Sequence, residues 1–235
     1  MPSPSPPDSL SSASSISEVR RILADCALRA VVAAWFLLIA ATLARSIIGV
    51  VSGPMNRLAL IQLAAKHCLF CFVVIIAVLT IARAPAVARA KGFQPFLAAF
   101  LGTNLVFLGV LLLKPRDDLP EALLLLSAFL VTIGNALAVI GLRHLGRSFS
   151  ILAEARTLVR GGPYRWIRHP LYAAEFIAVL GVLIQYASIE AGLLVLLQCG
   201  CQVLRMRNEE ALLARTFPDY AAYRQKTARI LPGVW

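Results

Sequence analysis

The sequence predicts an all-α, polytopic bundle of about six membrane-crossing helices. Three observations lead there. Of 235 residues, 59% are hydrophobic and 15% charged, whereas a soluble domain carries nearer a quarter charged residues. The charges are clustered, so long apolar runs lie between them. Most runs are about 20 residues long, or about 30 Å as helix, enough to cross a bilayer.

The elements follow in order. Residues 1–17 are rich in Ser and Pro, with neither a basic start nor an apolar stretch. They read as a disordered tail and not as a signal peptide. Glu18, Arg20 and Arg21 mark the approach to a short interfacial helix. The first span is read at 27–50, with Arg45 near its far end and Gly53-Pro54 as the turn. The second is read at 58–82, the third at 93–113 and the fourth at 122–142, the last two without a charge. The apolar stretch 171–204 is too long for one crossing. Tyr186-Ala187-Ser188-Ile189-Glu190 is its best break, so it reads as a hairpin of two short spans, 171–187 and 190–206. A tail segment, 1–17, is thus followed by four helices within 18–142 and a chemistry-bearing region, 143–235.

The formal net charge is +11. The basic residues sit between apolar runs, which points to retained cytoplasmic loops and anionic lipid, not to nucleic acid. Arg83, Arg89 and Lys91 follow the second span, and Arg143, Arg147, Arg156, Arg160, Arg165 and Arg168 follow the fourth. Six spans with both termini cytoplasmic fit this distribution. Five cysteines at or within apolar runs argue against a disulfide framework. Cys68-x-x-Cys71 has no second ligand pair, so it reads as helix packing and no metal site is expected.

Two polar stretches flank the hairpin. The first, Gly161-Gly162-Pro163-Tyr164-Arg165-Trp166-Ile167-Arg168-His169-Pro170-Leu171-Tyr172, opens on a turn and ends on a helix start, with Pro170 in the first turn. A helix start offers unpaired N–H groups suited to a carboxylate or phosphate. Tyr164, Trp166 and Tyr172 are suited to framing a flat or cationic ligand. The same residues also suit a plain interfacial anchor, and composition does not choose between the two. The second stretch runs from Arg205 through Glu209, Glu210, Phe217-Pro218-Asp219-Tyr220 and Tyr223 to Arg229. Arg205 and Glu209 are four apart and share a helix face, as a surface ion pair or as two halves of a ligand site.

The run GPYRWIRHPLY, an apolar stretch of hairpin length, and RMRNEEALLARTFPDYAAYRQKTARILP together resemble the isoprenylcysteine carboxyl methyltransferase family and the related phospholipid methyltransferases. The resemblance covers about 145–232. It implies S-adenosylmethionine bound without a Rossmann domain, at a cytoplasmic pocket made by the last helices, their loop and the C-terminal segment. Position by position, it implies cofactor contacts at Arg156, Thr157, Leu158, Val159, Tyr164, His169, Pro170, Leu171, Tyr172 and Glu209. Arg205 matches the basic residue near the acceptor carboxylate, and Arg205 and Glu209 carry the catalytic roles. Phe217-Pro218-Asp219-Tyr220 stands where the family has Phe-Gly-x-x-Tyr, which leaves the acidic contact to Glu209 or its neighbour Glu210.

The expected reaction is O-methylation of the carboxylate of a lipophilic, isoprenylcysteine-like acceptor reaching the site from the bilayer. A carboxylate is already ionised, so positioning and desolvation carry the catalysis. Glu175, one turn into the hairpin, is expected to face the pocket and the acceptor, because an ionisable group facing lipid is costly. Phospholipid or other lipid N-methylation is the alternative, with Glu175 or Glu210 as base. A nicotinamide-dependent membrane reductase is a more distant enzyme reading. A transporter or non-catalytic membrane component is the reading outside the enzymes, disfavoured by the uncharged third and fourth spans and the absence of an internal repeat.

Overall fold

The computed structural model describes residues 9–116 and 118–233. Among them, six long helices and one short one account for nearly all regular structure: α1 Ser9–Val51, α2 Arg57–Ala82, α3 Phe93–Leu112, α4 Glu121–Leu145, α5 Pro170–Tyr186, α6 Ile189–Thr216 and α7 Tyr220–Lys226. The all-α expectation holds, with one two-residue strand pair, β1 Ala88–Arg89 and β2 Glu154–Ala155. The α1 helix takes in Ser9 to Ser17 of the stretch expected to be disordered, and residues 1–8 lie outside the described residues.

The helix ends follow local chemistry. The Asn56 side chain accepts from the Ala59 N–H at 2.8 Å and starts α2. Ser188 does the same for α6, accepting from the Ala191 N–H at 3.1 Å. One residue earlier, Ala187 ends α5 in the left-handed region at φ 39°, so the hairpin breaks where the sequence places it. Among the described residues, five helices are long and apolar enough to cross a membrane, while α5, at 17 residues, is shorter. Its length is about 25 Å.

Packing runs α1–α2–α4–α5–α6–α3. The Trp35 indole N–H donates to Asn104 Oδ1 at 2.8 Å and brings α3 back to α1, closing a ring. Side chains on the outside, such as Leu38, Phe100, Phe129 and Leu196, are apolar and exposed, as a lipid-facing surface requires. The tightest seam is α4 on α5. A Cβ at Gly134 would lie 2.5 Å from the Ala178 amide nitrogen, and one at Gly181 would lie 2.6 Å from the Ser127 carbonyl. Ser127 Oγ donates to the Gly181 carbonyl at 2.7 Å on the same seam. Small residues let two backbones meet in this way.

One end of the ring gathers the chemistry. There the Ala84 N–H donates to the Arg147 carbonyl at 2.9 Å, β1 pairs with β2, and Arg29 of α1 donates to the Arg83 carbonyl at 2.9 Å. At the other end the Arg116 N–H donates to the Gln185 carbonyl at 3.0 Å. A cavity of about 560 Å³ near that end is apolar, lined by Leu60, Leu125, Phe129 and their neighbours on α2 and α4.

Candidate functional site

The turn before α5 is built on Gly162. Its φ is +57°, and a Cβ there would lie 2.1 Å from the His144 ring on α4. Both conditions demand glycine. The chain then forms a short 3₁₀ turn, Gly162–Arg165. Next it runs beside the C-terminal tail: the Arg168 N–H donates to the Ala228 carbonyl at 2.8 Å and the His169 N–H to the Arg229 carbonyl at 3.0 Å. Pro170 opens α5 with His169 at its N-cap, where no side chain caps the helix. The first-turn N–H groups therefore keep their partial positive charge for a ligand.

Four residues of α6 share the face turned toward α5 and α3: Gln198, Gln202, Arg205 and Glu209. The Tyr172 hydroxyl donates to Glu209 Oε1 and bridges α5 to α6. The Arg205 guanidinium sits 5.0 Å from the Tyr172 ring centroid. Its Nη1 donates to Gln202 Oε1 at 3.0 Å and its Nη2 to the Ile151 carbonyl at 3.1 Å. The Gln202 amide in turn donates to Glu175 Oε2. Glu175 thus faces Gln202 and the interior beside Arg205. Arg205 and Glu209 do not pair directly, because each has its own partner across the helix. Gly102 of α3 makes the arrangement fit, since a Cβ there would lie 2.8 Å from Arg205 Cδ.

Two buried donors at this place have no protein partner: Arg205 Nε and the Tyr164 hydroxyl. Burial, with the negative charges of Glu209 and Glu175, raises the Tyr164 phenol well above its ordinary value. It therefore remains a neutral O–H donor. Buried donors without partners are rare, and their presence beside a carboxylate and an open helix start fits a polar ligand.

Glu210 does different work. Its Oε1 accepts from Arg168 Nε at 2.8 Å, from His169 Nε2 at 3.1 Å and from Arg229 Nε at 3.1 Å, while Oε2 accepts from Arg229 Nη2 at 2.8 Å. Arg168 also donates to the Arg224 and Thr227 carbonyls, and the Tyr223 hydroxyl donates to the Tyr164 carbonyl at 2.7 Å. Glu210 is therefore the clasp between α6, the α5 start and the C-terminal tail. Glu209, a quarter exposed, is the acidic group that faces the Tyr172 side.

The stretch 156–159 has more structural duty than its sequence match suggests. Arg156 is buried, donating to the Ala84 carbonyl at 2.6 Å and pairing with Glu154. Thr157 hydrogen-bonds Ser148, and Leu158 and Val159 are half-buried. Pro170, Leu171 and His169 are buried at the head of α5. Sequence reasoning missed Gln202, Gly102 and the Ile151 carbonyl. The available signal for Gln202 was an amide in an apolar run, three residues before Arg205 and so on the same face.

Known proteins match the chain in part. It is 31% identical over 112 residues to the nickel-cobalt-cadmium resistance protein NccN of Alcaligenes xylosoxydans xylosoxydans, covering 46% of this chain and 52% of that protein. It is 30% identical over 111 residues to the cobalt-zinc-cadmium resistance protein CzcN of Cupriavidus metallidurans, covering 45% of this chain and 50% of that protein. The chain thus spans about half the length of the curated relatives it matches. Residues 122–220, the stretch from α4 through the hairpin to the start of α7, match the family model for phospholipid methyltransferase.

Proposed function

We propose that this chain is an integral-membrane S-adenosylmethionine-dependent methyltransferase that O-methylates the carboxylate of a lipophilic, isoprenylcysteine-like acceptor. The observation that carries this reading is the convergence of Tyr172, Glu209 and Arg205, with the unpartnered Arg205 Nε and Tyr164 hydroxyl, at the open start of α5. The family match over the same residues supports it. When bound, the cofactor supplies a methyl group on a positively charged sulfur.

Each residue then has a task. Glu209 attracts the cofactor's ammonium, and the uncapped N–H groups of α5 attract its carboxylate. The faces of Tyr172 and His169, whose ring centroids are 5.4 Å apart, offer an aromatic wall to the sulfonium. Arg205 holds the acceptor carboxylate through its spare N–H, while Gln202 and the Ile151 carbonyl fix the guanidinium plane. Arg205 would hold an ionised acceptor carboxylate toward the methyl group that the bound cofactor would supply, and the site's share of the catalysis would be positioning and desolvation. No proton moves, so the site needs no general base. The basic residues at this end (Arg83, Arg89, Arg143, Arg147) support a cytoplasmic site by the positive-inside rule.

A second reading, N-methylation of a lipid amine, is favoured by the two carboxylates, Glu175 and Glu209, that flank Arg205. The test uses purified protein with methyl-labelled cofactor and membrane lipid extracts. Label released as volatile methanol by mild base is an ester, and label that resists base is an N-methyl group. S-Adenosylhomocysteine should bind the wild type and lose at least tenfold in affinity with Glu209→Ala. Equal affinity would overturn the site.

A further inference from the structure

A second charged cluster lies at the same end, outside the candidate site. Asp25 of α1 pairs with Arg29 at 2.7 Å, Arg83 at 3.1 Å and Arg89 at 2.7 Å. Glu154 pairs with Arg83 at 3.4 Å, Arg89 at 2.9 Å and Arg156 at 2.5 Å. Four guanidinium groups against two carboxylates leave an excess of two positive charges in one connected cluster. Two of the four arginines, Arg83 and Arg156, are more than nine-tenths buried, and each keeps a buried nitrogen, Nε and Nη1 respectively, with no partner. Excess buried charge is costly unless a counter-charge is supplied.

Burial, together with the neighbouring positive charges of Arg156 and Arg29, lowers the Arg83 pKa even though Glu154 and Asp25 stand beside it. The open edge of the cluster is formed by Arg89 and Arg29, whose side chains are 38% and 20% exposed. Near that edge in the chain, Ile22 and Leu23 at the start of the α1 span, Ile81 at the end of α2 and Val87 in the loop that follows are exposed apolar residues. The basic groups thus sit at the depth of headgroups, with apolar surface beside them for acyl chains.

We propose that this cluster is a binding site for the phosphate of an anionic phospholipid headgroup, with Arg29 and Arg89 making the first contact and Arg83 and Arg156 supplying the buried charge. The bound phosphate supplies the missing counter-charge and joins α1 to the two loops, 83–92 and 146–161. It also reaches the candidate site. Glu154 accepts from Ser150 Oγ at 2.7 Å, and the next residue, Ile151, gives its carbonyl to Arg205. Lipid charge at the membrane face is therefore coupled, through three adjacent groups, to the residue we assign to the acceptor. The binding site itself does not depend on that assignment.

The test is lipid retention by native mass spectrometry after reconstitution in phosphatidylcholine with or without phosphatidylglycerol, together with melting shifts in detergent. Wild type should retain phosphatidylglycerol over phosphatidylcholine, and short-chain phosphatidylglycerol should raise its melting midpoint. Arg29→Gln and Arg89→Gln should each weaken this by about fivefold. Asp25→Asn, which removes a carboxylate from the cluster, should tighten it. The Asp25→Asn result still decides the matter if an arginine variant fails to fold. Equal retention of the two lipids, or a folded Asp25→Asn variant with unchanged or weaker retention, overturns the proposal. Equal stabilisation by inorganic phosphate at matched concentration overturns the lipid assignment in favour of a soluble anion. Cofactor binding is measured on the same samples, so failure of the methyltransferase reading is seen separately.

Discussion

Glu209 and Glu210 are adjacent in the chain, approach the same His169 ring at 3.9 and 3.1 Å, and otherwise serve different partners around α6. Glu209 accepts from the Tyr172 hydroxyl, while Glu210 is held by Arg168, His169 and Arg229. One residue along a helix is a turn of about 100°, enough to separate a ligand-facing group from a structural clasp.

The two acids should therefore respond differently to removal. Glu210→Ala removes the buried carboxylate that accepts from Arg168, His169 and Arg229. The expected cost is about 3–5 kcal/mol, the range for breaking a buried ion pair from one side. It should appear as a large fall in melting midpoint in detergent. Glu209→Gln keeps an acceptor for Tyr172 and should stay within about 1 kcal/mol of wild type. A melting curve for Glu210→Ala that overlays the wild type would remove the clasp.

Glycines on one helix face should also part company. Gly134→Ala puts a Cβ 2.5 Å from backbone of α5, which has no side-chain freedom with which to yield. Overpacking of this kind costs about 1–3 kcal/mol. Gly141→Ala, seven residues on, meets Leu171 at 3.6 Å, an ordinary contact, and should be tolerated. Thermal melts of the two variants check this. Equal stability would mean that α5 is not seated on α4 as described.

Acid should release the loops before the helices. Glu154 is buried, which raises its pKa, but hydrogen bonds from Ser150 and Arg156 and the charge of Arg83 outweigh burial and hold it below its ordinary value. The unfolded state then binds the proton more readily, so the stabilisation is complete above the unfolded carboxylate pKa. It is lost as pH falls through the lower folded value. The Val87 and Ala90 N–H groups, bonded to the Ala155 and Ala153 carbonyls, report on this lock. Their hydrogen-exchange protection should decay below about pH 4, and Glu154→Gln should remove that decay.

Much of this was legible from the chain. Ser188 caps α6 and Pro170 opens α5, so local chemistry located the start of the hairpin and its break, while α6 runs on to Thr216, past the end read at 206. The order of helices around the ring was not legible. The spans are apolar all round, and nothing in α3 marks it for α6 except Gly102 and Gly109, which matter only once Arg205 and Leu194 stand opposite. The motifs around Tyr172 and Glu209 were visible as residue types at a spacing. Their partners Gln202 and Ile151 were not, since one is an amide within an apolar run and the other contributes only its backbone.

Two tyrosines test whether the site awaits a ligand. The Tyr164 hydroxyl is buried without a protein partner, whereas the Tyr223 hydroxyl donates to the Tyr164 carbonyl at 2.7 Å. Tyr223→Phe leaves that buried carbonyl unmet and should lower stability by about 1–3 kcal/mol. Tyr164→Phe removes a hydroxyl that contributes nothing to the protein alone, so the melting midpoint without added nucleoside should hold or rise. Its cost should appear on titration with S-adenosylhomocysteine, as a loss approaching tenfold, the size of one hydrogen bond. If Tyr164→Phe destabilises the ligand-free protein as much as Tyr223→Phe, its hydroxyl has a structural partner. If it binds the nucleoside as tightly as wild type, its hydroxyl does not face the cofactor. The unpartnered donor at the head of α5 would in either case no longer support a ligand site.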